Sequence, residues 1–288
     1  MMKRVITAGL LACALVGFGC DSESAGDSTT DTTVVEDASV ADDTSVADDT
    51  SVADDTSVAD DTSVADTSEA RVCEPADPAD TLRCEDELIL VVGLVADKVA
   101  AGGVTNTTDG DDIVSVVDAR AGGPMSAANN PWAYFRFGEA GLDQVMIDDM
   151  EALDSDGWDL AFRRFGIRLN SGVSGPGCVT GQPIYGLRYD EVDTIPSAEG
   201  FREEAFFDDS CELISEASGL GSPAFLTSGW WTYRGCVGIT GAVYLIDRAG
   251  DYFKLTVEGY YASGQQACDE NGTRGTGSAM VTVRWRPL

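Results

Sequence analysis

The sequence predicts an all-β, mainly antiparallel domain over residues 71–288, stapled by disulfides and preceded by a disordered acidic tether. Three observations carry that reading. Short β-prone runs recur along the second half of the chain. Six cysteines lie beyond residue 70. A six-residue repeat without a single aromatic or basic residue precedes them.

The N-terminus reads as an export signal. Met1-Met2-Lys3-Arg4 is a basic start, Val5 to Phe18 carries no charge, and Gly19-Cys20 is followed by acidic chain. This is the pattern of a bacterial lipoprotein signal over residues 1–20, with Cys20 as the lipidated residue. The position three before Cys20 is Gly17, where such signals prefer a larger aliphatic, and Leu10-Leu11-Ala12-Cys13 is an alternative local match. The apolar run falls short of the ~20 residues of a transmembrane span.

Residues 21–70 hold 16 Asp and Glu and no Lys or Arg, and Ser-Val-Ala-Asp-Asp-Thr repeats from Ser39. Such a segment buries too little apolar area to offset its ordering entropy, so it reads as a self-repelling tether. As a flexible coil it would span ~35–42 Å.

Beyond it, Cys73, Cys84, Cys178, Cys211, Cys236 and Cys268 form an even set in an exported chain, which implies a disulfide framework. The simplest of the possible connectivities is sequential: Cys73–Cys84, Cys178–Cys211 and Cys236–Cys268.

Strands are expected at Glu87 to Leu94, Ile113 to Val117, Pro131 to Phe137 and Trp158 to Leu169. A hairpin is expected from Ala242 to Ile246, turning at Arg248-Ala249-Gly250-Asp251, into Tyr252 to Tyr261. In it Phe253, Leu255 and Val257 share a face. Met280 to Arg286 closes the chain with Val281, Val283 and Trp285 inward. Leu142 to Leu153 reads either as the best helix or as strand plus turn.

Composition excludes several functions. The chain has no histidine, so it has no Ser-His-Asp triad, no imidazole base and no His metal ligand. A net charge of -32 argues against nucleic acid as a partner. Ser171-Gly172-Val173-Ser174-Gly175-Pro176-Gly177 lacks the Gly-Lys-Ser/Thr of a phosphate loop. Asp109-Gly110-Asp111-Asp112 and Asp154-Ser155-Asp156-Gly157 resemble only fragments of calcium loops.

At Trp158-Asp159-Leu160-Ala161-Phe162-Arg163, continuing to Arg168-Leu169-Asn170-Ser171-Gly172, the chain resembles the HmuY family. Two further blocks agree in order: Trp132 to Phe137, and Trp231-Thr232-Tyr233 followed by Val243 to Ile246, Asp251 to Leu255 and Tyr260-Tyr261. The resemblance spans roughly 110–288. It implies a mainly antiparallel β fold on a bacterial envelope lipoprotein, and haem capture for delivery to an outer-membrane transporter. It also implies His or Met axial ligands. This chain has no His, and no Met lies between Met150 and Met280. Where relatives can place a ligating His, after Tyr233, it has Arg234-Gly235-Cys236, with Cys236 read as a disulfide partner.

Haem could still be held by tyrosine oxygen, and Tyr185, Tyr189 and Tyr233 are the candidates by location, each with the alternative of a half-buried strand or loop aromatic. Arg163, Arg164 and Arg168 could pair with a ligand carboxylate such as a propionate, or with acids on a solvated sheet face. The expected function is therefore a non-enzymatic, lipid-anchored outer-membrane protein that binds haem or another small ligand. An adhesion or structural module that kept the fold is the alternative, and a carboxylate-based hydrolase a third.

Overall fold

The computed structural model describes residues 82–120 and 130–288, all within the unit Ala65–Leu288. Residues 1–81, with Cys20, Cys73 and the acidic repeat, lie outside the described residues, as do residues 121–129.

The described elements run α1 (Glu85–Val92), β1 (Val104–Asp109), β2 (Asp112–Asp118), β3 (Ala133–Phe137), β4 (Leu142–Val145), β5 (Leu160–Arg163), β6 (Gly166–Leu169), β7 (Val179–Ile184), β8 (Trp231–Tyr233), β9 (Val237–Ile239), β10 (Val243–Arg248), β11 (Asp251–Tyr261), α2 (Gln266–Asn271) and β12 (Ser278–Pro287). The strands make a six-stranded sheet ordered β1-β2-β12-β11-β10-β7, a four-stranded sheet ordered β4-β3-β5-β6, and the small β8–β9 hairpin. Every strand pairing is antiparallel.

β2 and β12 show a clean two-residue period of burial, while β11 is buried on both faces. Val281, Val283 and Trp285 of β12 and Leu255 and Val257 of β11 face the four-stranded sheet. They meet Phe135, Phe137, Leu160, Phe162 and Ile167 to form the main core. Phe137 stacks on Phe253 with centroids 4.2 Å apart, and Trp285 meets both rings edge-on. Asparagine side chains close the seams between the sheets. Asn106 of β1 donates to Leu142 O (3.1 Å) and accepts from Leu142 N (3.2 Å), copying the backbone pairing that β4 would otherwise lack. At the opposite seam Val179 N donates to Asn170 O (3.0 Å), while Asn170 Nδ2 donates to Trp158 O (2.8 Å).

The four-stranded sheet is buried on its other face too. There Leu88 and Val92 of α1, with Phe206 and Phe225, cover Trp132, Tyr134, Trp158 and Ala161. The structure corrects two expectations in this layer. Trp158 to Leu169 is not one strand but the hairpin β5–β6, turning at Arg164 (φ 55°) and Phe165. Gly166 lets this hairpin close against the second layer, since a Cβ there would stand 2.8 Å from Trp132. Most of Glu87 to Leu94 lies in the helix α1, which ends at Val92, rather than in a strand. Glu85, Asp86 and Glu87 in the first turn suit the helix dipole. Gly93, with a left-handed φ of 63°, ends the helix and donates its N–H to Ile89 O. Leu142 to Leu153 resolves as β4 followed by a 3-10 turn at Glu151–Leu153.

The disulfides correct a third expectation. Cys84 pairs with Cys211, not Cys73, so the bridge ties α1 to a loop 127 residues on. Cys178 is also disulfide-bonded, and the sequential Cys178–Cys211 pairing is excluded because Cys211 is taken. Cys236–Cys268 is as expected. Non-reducing peptide mapping should join the Cys84 and Cys211 peptides. Replacing both cysteines with serine should cost about 2–4 kcal/mol in urea unfolding. A Cys84–Cys73 peptide would contradict this bridge.

Candidate functional site

At one end of β7 and β10 the surface opens into a cleft of about 790 Å³, within the usual range of roughly 300–1,000 Å³ for small-ligand sites. Its walls come from five places: Pro183 and Tyr185 at the end of β7, Arg202 to Ala205, residues within the segment Ser215 to Gly229, Trp231, Thr232 and Tyr233 of β8, and Thr240 after β9. A second cleft of about 630 Å³ adjoins it and shares Pro183, Tyr185, Leu226, Gly229 and Thr240.

Two of the three candidate tyrosines meet here. Tyr185 is 84% exposed and Tyr233 55% exposed, so both are open to a ligand. Each stands beside a glycine with a left-handed backbone, Gly186 (φ 79°) and Gly235 (φ 84°), that turns the chain back after it. Behind Tyr233 the Cys236–Cys268 bridge fastens the hairpin to α2.

The inner wall holds a carboxylate that sequence reasoning missed. Glu204 is 2% exposed. It accepts from Leu169 N (3.0 Å) and Leu226 N (2.9 Å), pinning the cleft segment to β6. Burial outweighs these two hydrogen bonds and pushes its carboxyl up to about 7. Nothing in Arg202-Glu203-Glu204-Ala205 distinguishes it from its exposed neighbour Glu203.

Tyr189 stands elsewhere. Its hydroxyl donates to Asp112 (2.9 Å), and the Lys254 ammonium lies 4.2 Å from its ring centre. Lys254 also donates to the carbonyls of Tyr189 and Val192, both at 2.8 Å. Tyr189 therefore straps a loop onto the outer face of the six-stranded sheet.

The three arginines lie on the α1 side of the four-stranded sheet or at its β5–β6 turn. Arg163 donates to the carbonyls of Val92, Gly93 and Asn130, capping α1. Burial, offset by Asp149, brings its pKa down to about 10. Arg168 is completely buried. It donates to Ser174 O (2.5 Å) and to the Tyr134 hydroxyl (2.8 Å), and it packs on the rings of Trp132 and Trp158. Tyr134 passes the contact on by donating to Asp149 (2.9 Å), which also accepts from Val95 N and Trp132 N. No solvated sheet face exists at Arg168, because α1 and the loops cover it. Arg163 and Arg164 border another cleft of about 240 Å³ with Trp132 and Phe225. The turn Asp109 to Asp112 is engaged too, since Arg284 donates to both of those carboxylates.

Two packed antiparallel sheets, disulfide ties and an open cleft between a strand end and a hairpin define a β-domain with a ligand-sized cleft. The chain belongs to the HmuY family: the family model described as HmuY protein matches residues 128–272. Solved structures with the same overall likeness include a candidate HmuY-like haem-binding protein from Bacteroides vulgatus. It has 16% identity and a TM-score of 0.39, and the match covers 64% of this chain and 96% of that one. A candidate lipoprotein from Bacteroides fragilis has 14% identity and a TM-score of 0.39, covering 64% and 95%. An apo HmuY analogue from Tannerella forsythia has 12% identity and a TM-score of 0.31, covering 67% and 100%. No curated protein matches the chain.

Proposed function

We propose that this protein is a non-enzymatic, lipid-anchored protein of the bacterial outer membrane that captures ferric haem, for delivery to a membrane transporter, in the cleft between Tyr185 and Tyr233. The observation that carries this reading is the convergence of two exposed phenols on one cleft of an HmuY-family domain. The donor set fits ferric rather than ferrous haem. No histidine exists and no methionine lines the cleft, whereas a phenolate oxygen is a hard anionic donor suited to a ferric centre. Bound haem would supply the iron that accepts this oxygen. Arg202 on the same wall can meet a propionate, while Trp231, Phe225 and Leu226 offer apolar surface. The N-terminal signal and Cys20 supply the anchor, and residues 21–70 the reach.

Titration of the full-length protein with ferric haem should give a saturable Soret shift near one haem per chain. Tyr185→Phe or Tyr233→Phe should weaken it about tenfold or more, and reduction with dithionite should release the haem. Absence of a shift at micromolar haem would leave an adhesion or structural module as the reading. An unaltered titration in both variants would remove the tyrosines from the site.

A further inference from the structure

The same cleft runs along an unpaired strand edge. In the β8–β9 hairpin Thr240 N donates to Trp230 O and Arg234 N to Cys236 O. With Thr232 opposite Gly238, the even-numbered residues of this strand turn their main-chain groups toward β9. Those of Trp231 and Tyr233 therefore point the other way. On β9 the matching outward groups are sealed by side chains: Val237 N donates to the Tyr261 hydroxyl (2.8 Å) and Ile239 N to Asp269 (2.9 Å). Trp231 and Tyr233 have no such partner among the described residues. Trp231, Thr232 and Tyr233 all border the cleft. Side chains alternate faces along a strand, so the cleft lies along this edge rather than over one face.

The opposite wall is also an edge. Gly181 of β7 exchanges hydrogen bonds with Arg202 on the side away from β10. The next outward group on that side is the carbonyl of Pro183, which borders the cleft as well. Main-chain groups left unpaired at a strand edge are a template for another strand. The exposed walls carry Glu203 and Glu216 against Arg202, and residues 71–288 hold 34 acidic against 16 basic side chains.

We infer that the outer edge of β8 docks an extended, basic segment of another polypeptide, which adds as a further strand between Tyr233 and Tyr185. This does not rest on haem binding. Where both occur, strand and small ligand occupy the same cleft and exclude each other, so docking of the partner would release the ligand.

The test uses the full-length protein and an acetylated octapeptide of alternating valine and lysine. The expected result is saturable binding, with amide exchange at Trp231 and Tyr233 slowed about tenfold. The same peptide N-methylated at every residue should lose binding, because its donors are gone. Tyr233→Pro, which removes an outward N–H and no β9 bond, should lose it too. Equal binding of the N-methylated peptide to the native protein would overturn the inference. So would failure of the valine–lysine peptide to bind, unaltered exchange at the two amides, or dimerisation of the free chain through this edge. A protein that binds the peptide but no haem would keep this inference and lose the haem reading.

Discussion

Replacing Arg168 with methionine is expected to lower the unfolding free energy by about 3–5 kcal/mol. The side chain is completely buried, and its guanidinium is held by Ser174, Tyr134 and the rings of Trp132 and Trp158. Methionine fills much of the volume but restores neither the hydrogen bonds nor the charge. The Tyr134 hydroxyl loses a donor, and the buried Asp149 loses one of its balancing cations, the other being Arg163. For a domain of this size the melting temperature should fall by about 2–4 °C per kcal/mol. Arg168→Lys should recover only part of the loss, since an ammonium cannot span the same partners. Urea and thermal unfolding measure both. Ligand binding by the folded fraction should be unaltered, because Arg168 does not border the tyrosine cleft. A variant as stable as the parent would show that the aromatic packing alone holds this layer.

The second large effect is a pH dependence located at Glu204. Its folded-state pKa is raised by burial to about 7, from an ordinary value of 4.5. A raised acid binds its proton more tightly in the folded state. Its contribution to stability is therefore fully present below pH 4.5 and is lost as pH rises through 7. The difference is worth about 3 kcal/mol over that window. Asp149 and Asp159 are also raised by burial and act in the same direction. Glu204→Gln should remove its share, so the stability of parent and variant should diverge in slope between pH 4.5 and 7.5. The amide must lose one of the two backbone contacts, to Leu169 N or Leu226 N, so the variant is expected to start less stable at low pH. Parallel curves across this window would place the titrating group elsewhere.

Much of the architecture was legible in the chain itself. β2 and β12 each bury one face in the main core, and their two-residue alternation shows it. The β10–β11 turn was readable from Arg248-Ala249-Gly250-Asp251, because Ala249 and Gly250 take the left-handed conformation that closes a tight hairpin. The hairpin at β5–β6 was not legible, since the alternation of Phe165, Ile167 and Leu169 with Arg164, Gly166 and Arg168 reads as one continuous strand and hides the turn at Arg164. Nor was α1, where the short apolar run Leu88 to Val92 fits a buried strand as well as a short helix. The site was legible in parts. Phenols were the remaining oxygen donors in a chain without histidine, but Tyr185, Tyr189 and Tyr233 look alike in sequence. Sheet geometry sends Tyr185 into the cleft and Tyr189, four residues on, to Asp112 and Lys254.

Local chemistry by itself determined the acidic repeat, the class of the domain and the absence of imidazole. Each depends on composition or on neighbours a few residues apart. Tertiary structure alone decided the partner of Cys84, the burial of Arg168 and Glu204, and the open edge of β8. Those depend on which distant segments exclude water from a group and which leave it unpaired. Free energies of burial and pairing are properties of such assembled neighbours, and no short stretch of sequence contains them.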